Sequence, residues 1–100
     1  MTTQTDTAEP APTEVTLADA LKMAIEMQQN RLYDGAETLY RRILDAAPGL
    51  PDALHFLGML LYQRGRAEEG IGYIEQAVDR DPGYAGAHNN LGNIHASRGD

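Results

Sequence analysis

The chain has 100 residues, 42% of them hydrophobic, with eight basic and fifteen acidic side chains and a net charge of −7, enough for one small domain if most of it packs. That charge argues against nucleic acid or an anionic membrane surface as the main partner, because both draw Lys/Arg patches. Without cysteine there is no disulfide framework, thiol nucleophile or thiolate metal site, and no apolar run approaches the ~18 residues of a membrane-spanning helix.

Residues 1–15 hold five Thr, two Pro and three acids, with almost nothing to bury. Such a segment does not offset the entropy of ordering itself and is expected to be a disordered acidic tail. It also lacks the basic residues and apolar stretch of a secretory signal, so a cytoplasmic location is the expectation. At Thr16 the character changes. Its hydroxyl can accept from the first free amides of a helix whose first turn carries Asp19. From there to Asp100 the apolar residues keep a helical period, and the breakers divide the segment into helices near 17–30, 34–47, 52–63, 67–80 and 84–97. Pro48-Gly49-Leu50-Pro51 and Asp81-Pro82-Gly83 separate one helix pair from the next, while Gly65 and Gly99 sit where the chain turns within a pair.

The helix near 34–47 carries Ala36, Leu39, Tyr40, Ile43 and Leu44 on one stripe, and that near 67–80 carries Ala67, Ile71, Ile74, Ala77 and Val78. The helix between them is apolar all round, through Leu54, Phe56, Leu57, Met59, Leu60, Leu61 and Tyr62. It is therefore expected to be sandwiched. Gly58 in its interior costs about 1 kcal/mol of helix propensity against Ala, a sign that a neighbouring helix comes close there.

The chain repeats itself at an offset of 34, with identities at Asp45/Asp79, Pro48/Pro82, Gly49/Gly83, Ala53/Ala87, Leu57/Leu91, Gly58/Gly92, Arg64/Arg98 and Gly65/Gly99. A weaker copy lies upstream, where the small Ala24 falls at the place of Gly58 and Gly92, and Pro48 closes it as Pro82 closes the next. Repeats of this length indicate a solenoid of helix pairs.

At these positions the sequence resembles the tetratricopeptide repeat, a 34-residue helix–turn–helix unit. Leu57-Gly58 with Leu61, Gly70, Ile74, Ala77 and Pro82 make a near-complete second repeat. Ala20, Met23, Ala24, Met27, Ala36, Tyr40, Ile43 and Pro48 make a degenerate first one, and His88, Leu91, Gly92 and His95 begin a third. The resemblance covers about 85 residues. It implies an all-α, right-handed solenoid of about 2.5 repeats and five helices, with repeats at about 17–50 and 51–84 and a partial one at 85–100. A partial last repeat is what the amino-terminal part of a longer protein would show. Two departures from the family's pattern stand out. The aromatic near the start of the first helix is Ala20, Leu54 or His88, and Ile43 is large where the family prefers a small residue, which implies a wider contact between the first two pairs.

The third repeat, Asn89-Asn90-Leu91-Gly92-Asn93-Ile94-His95, is similar to repeats in the superhelical arm of protein O-GlcNAc transferases and related bacterial transferases. There an asparagine preceding the Leu-Gly pair holds the backbone of an extended peptide. Asn90 takes that position, whereas Phe56 and Lys22 take its equivalents in the other repeats.

The family's geometry places the first helix of each pair on the concave side. It implies a groove lined by Leu21, Lys22, Ile25 and Gln29, then His55, Phe56, Met59, Tyr62 and Gln63, then Asn89, Asn90 and Asn93. Apolar groups there would supply affinity while amides bond a peptide's backbone. Phe56 and Met59 have a second reading, as inter-repeat core. The family's carboxylate-clamp variety is not matched, since its positions carry mainly Leu21, Ile25, Phe56, Asp52 and Gly86, with Asn90 alone fitting.

His88 and His95 lie seven apart on one helix face but on packing positions, with no acid between them and His55 on another helix, so neither a metal site nor a cofactor is expected. Nothing resembles a nucleophile–base pair, a phosphate-binding Gly loop or a carboxylate dyad, and no catalysis is expected within these residues. Arg98-Gly99-Asp100 spells a cell-adhesion tripeptide, yet Arg64-Gly65-Arg66 stands at the same place one repeat earlier, so the repeat accounts for it. The expected function is protein–protein interaction, with a peptide or helix in the concave groove. The alternatives are a substrate-presenting arm of a larger glycosyl- or sulfotransferase-like enzyme, or an oligomerisation module self-associating through helix 84–97.

Overall fold

The computed structural model describes residues 16–99, so the reading of residues 1–15 and of Asp100 lies outside it. Five helices follow one another: α1 (Leu17–Gln29), α2 (Tyr33–Ala46), α3 (Pro51–Gln63), α4 (Ala67–Arg80) and α5 (Ala85–Arg98). None of them is long and apolar enough to cross a membrane. The boundaries differ from the sequence expectation by at most one residue, the ordinary fraying of helix ends.

Each boundary has a local cause. The Thr16 hydroxyl accepts from the Asp19 amide at 3.0 Å, which caps α1 as its sequence requires. Pro51 opens α3 at a first-turn position where a missing N–H loses nothing. The two turns within pairs are built alike. Leu32 donates to the Met27 carbonyl at 2.8 Å and Arg66 to the Leu61 carbonyl at 2.9 Å, six-residue closures that follow a left-handed residue, Arg31 (φ 64°) in the first and Gly65 (φ 86°) in the second. The turns between pairs also match, with Leu50 donating to Ala47 at 3.1 Å and Tyr84 to Asp81 at 2.9 Å.

The core falls into two clusters. Ala24, Ala36 and Tyr40 meet Leu57, Leu60 and Leu61, and the second cluster gathers Leu54, Ile71, Ile74, Ala77, Ala87 and Ile94. Helix α3 contributes to both, so it is the sandwiched helix its all-round apolarity predicts. Gly58 and Gly70 mark where α3 and α4 cross. A Cβ on Gly58 would lie 2.6 Å from the Gly70 carbonyl oxygen, and one on Gly70 would lie 2.5 Å from the Gly58 carbonyl oxygen. In the first pair the equivalent residues are Ala24 and Ala36, both fully buried. The stripes of α2 and α4 face inward as read, with Ala36, Tyr40 and Ile43 buried on one and Ile71, Ile74 and Ala77 on the other.

Candidate functional site

The first helices of the pairs, α1, α3 and α5, carry the residues expected to line a groove at equivalent positions: Lys22, Phe56 and Asn90; Ile25, Met59 and Asn93; Gln29 and Gln63, with Ser97 at the third equivalent. Lys22, Gln29, Gln63, Asn89 and Asn93 are exposed, while Leu21, Ile25, Phe56, Met59, Tyr62 and Asn90 are half-buried. Neighbouring first helices are joined by side-chain hydrogen bonds, all spanning 35 residues, one more than the repeat. Gln28 Nε2 donates to Gln63 Oε1 at 2.9 Å, and one repeat later the Tyr62 hydroxyl lies 3.5 Å from the Ser97 hydroxyl at the same positions. The third such pair is His55 and Asn90. The Gln28 amide is fixed from behind, because the buried Tyr40 hydroxyl donates to its Oε1 at 2.7 Å.

Phe56 has one face against the core and another open to solvent. Its ring stacks on Tyr40 with centroids 6.5 Å apart and planes 6° from parallel, and it also lines an open cleft. Ile25, Tyr33 and Phe56 supply that cleft's apolar surface, Gln28, Gln29 and Gln63 its amides, and Arg31 its one cation. Met59 leans toward the second core cluster.

His55 departs from the sequence expectation. It is only 5% exposed and stands beneath the groove, with its ring 5.1 Å from that of Phe56 and edge-on to Tyr84 at 5.0 Å. The reason is Tyr84, which the turn before α5 brings over the imidazole. The hydrogen bonds there have a forced direction. Asn90 Nδ2 is a donor only, so His55 Nε2 accepts from it at 2.7 Å. The ring proton therefore sits on Nδ1, which donates to the Tyr84 hydroxyl at 3.0 Å. Burial holds the imidazole below its ordinary pKa, with Asp52 working against that shift. Burial, and then the nearby Asp52 carboxylate, raise the pKa of Tyr84.

Charge is concentrated elsewhere, around the start of α2 and the α3–α4 turn. The Glu37 carboxylate accepts from Arg41 at 2.9 Å and from Arg64 and Arg66 at 3.1 Å. Burial raises its pKa, but Arg41 and Arg66 outweigh it and the net shift is downward. Arg64 also reaches Asp34 at 2.8 Å, and Arg98 pairs with Glu68 at the equivalent place one repeat on. Arg98 thus acts as a repeat residue.

His88 is exposed rather than packed, and its Nε2 donates to the Pro82 carbonyl at 2.8 Å. Among the described residues no three His, Asp or Glu side chains gather as a metal site would need. The sequence reading omitted Gln28, Arg31, Tyr33 and Tyr84. Gln28 is the repeat equivalent of Tyr62 and was findable by offset; Tyr84 precedes its helix and carries no groove signal.

A family model described as tetratricopeptide repeat matches residues 21–85 and again 57–100. No curated protein gives a significant match to the chain. The matched residues take in all five helices, the crossing at Gly58 and Gly70 and the paired turns, and the chain belongs to the tetratricopeptide repeat family.

Proposed function

We propose that this chain is a protein–protein interaction module that takes a peptide or helix along the strip formed by α1, α3 and α5. Repeats of this family generally mediate protein–protein interaction. The observation that carries the specific reading is the cleft where Ile25 and Phe56 lie beside Gln28, Gln29 and Gln63. Apolar surface bordered by hydrogen-bonding amides suits a peptide, whose side chains need burial and whose backbone needs partners.

Phe56→Ala is expected to weaken partner binding by about 1–3 kcal/mol, the hot-spot scale. Because the ring also stacks on Tyr40, binding is to be measured per folded molecule, with helicity followed in parallel. Unchanged affinity in the folded fraction would assign Phe56 to the core alone and remove this strip as the binding surface.

A further inference from the structure

Three equivalent positions, Arg31, Gly65 and Gly99, end the first helices, and all have positive φ: 64°, 86° and 80°. Glycine suits that conformation because it has no Cβ, whereas the Cβ of any other residue there is strained against the backbone. Two repeats follow this rule and the first does not. A strained residue that persists points to a function only when something else singles it out. Here its position does, since Arg31 lines the cleft together with Ile25, Tyr33 and Phe56.

Charge adds a separate observation. Arg41, Arg64, Arg66 and Arg98 each engage a carboxylate. Arg31, like Lys22, Arg42 and Arg80, has no ion pair among the described residues, and it is the one cation that lines this cleft, where no described acid stands. In a chain of net charge −7, this cleft combines the Ile25 and Phe56 side chains with three amides and one cation.

We infer that this cleft takes a peptide segment bearing an aspartate or glutamate beside an apolar side chain, with the carboxylate meeting Arg31 and the apolar group lying on Phe56. The inference rests on the groove reading above and names the chemistry of its partner. An exposed guanidinium offers a carboxylate two parallel N–H donors. The apolar neighbour supplies most of the affinity, and the acid selects among apolar peptides.

The test is an array of peptides capped at both ends, each with one apolar residue flanked by Asp or Glu, paired with copies carrying Asn or Gln. The wild-type chain should prefer the acidic member by about two- to fivefold, the scale of a solvent-exposed ion pair, with the preference shrinking in high salt. Arg31→Lys should keep it. Arg31→Gly should abolish it while raising the melting temperature by roughly 4 °C, through relief of the left-handed residue. Equal binding of acidic and amide peptides, or an acid preference that survives in Arg31→Gly, overturns the inference but leaves the groove reading standing. Failure of every array peptide to bind overturns both.

Discussion

His55 titrates in a setting that makes its protonation visible. Its folded pKa lies below the ordinary value of 6.5 because the ring is buried, so near that value the unfolded chain binds the proton more readily than the folded one. The stability that neutral His55 permits is complete above pH 6.5 and is lost as pH falls toward the depressed folded pKa. The incoming proton must go to Nε2, where it meets the Asn90 N–H, and the amide has to turn over to present its oxygen. Nitrogen-detected NMR of the free chain should therefore find Nδ1 protonated at neutral pH, and the Asn90 side-chain signals should move at the His55 midpoint. Asn90 sets the direction of this chain of bonds, because its Nδ2 can only donate to Nε2. Asn90→Ala, which removes that donor, should leave the fold intact but yield a mixture of imidazole tautomers. A single unchanged tautomer in that variant would remove Asn90 from the relay.

At the scale of the helix, glycines with the same sequence signature have opposite roles. Gly58 and Gly92 are equivalent, yet a Cβ at Gly58 would press on the Gly70 carbonyl oxygen and the Ile74 side chain, whereas one at Gly92 would meet nothing within 4 Å. Gly58→Ala gains about 1 kcal/mol of helix propensity against overpacking of about 1–3 kcal/mol with backbone among the obstacles, and is expected to destabilise. Gly92→Ala keeps only the gain and should stabilise by about 0.5–1 kcal/mol. Urea denaturation of the two variants checks both signs. The same contrast marks what sequence could show. The offset of 34 located the helices, breakers and crossing glycines, since all follow from the period. It did not reveal that neighbouring first helices touch at a separation of 35, because that extra residue comes from how the pairs stack. Nor could it place His55 under Tyr84, since a turn in space, with no period of its own, covers the ring.

For the molecule as a whole, charge and exposed apolar surface fall in different places. The cluster of Arg41, Arg64 and Arg66 with Glu37 and Glu69 binds α2 to the α3–α4 turn. The large exposed apolar side chains among the described residues are Leu17, Met23 and Leu32. All belong to the first pair and none to α5, the helix proposed from sequence for self-association. Met23 is the repeat equivalent of Leu57, which is wholly covered by the pair before it.

The placement of α3 between two cores also governs how the array comes apart. In a solenoid each unit touches only its neighbours, so opening can begin at either end and proceed inward. Here α1 or α5 can detach with the loss of one cluster's contacts, but α3 cannot leave without dissolving both. Native-state hydrogen exchange should show this as a gradient. The amides of Leu57, Leu60 and Leu61 should exchange only through complete unfolding, with those of α1 and α5 released earlier through openings of lower free energy. Three quasi-independent units would give three protection levels, whereas this chain should show one central level flanked by two lower ones. The first helices that form the outer thirds of the proposed groove can then loosen and re-form around a partner while the Phe56 third stays folded.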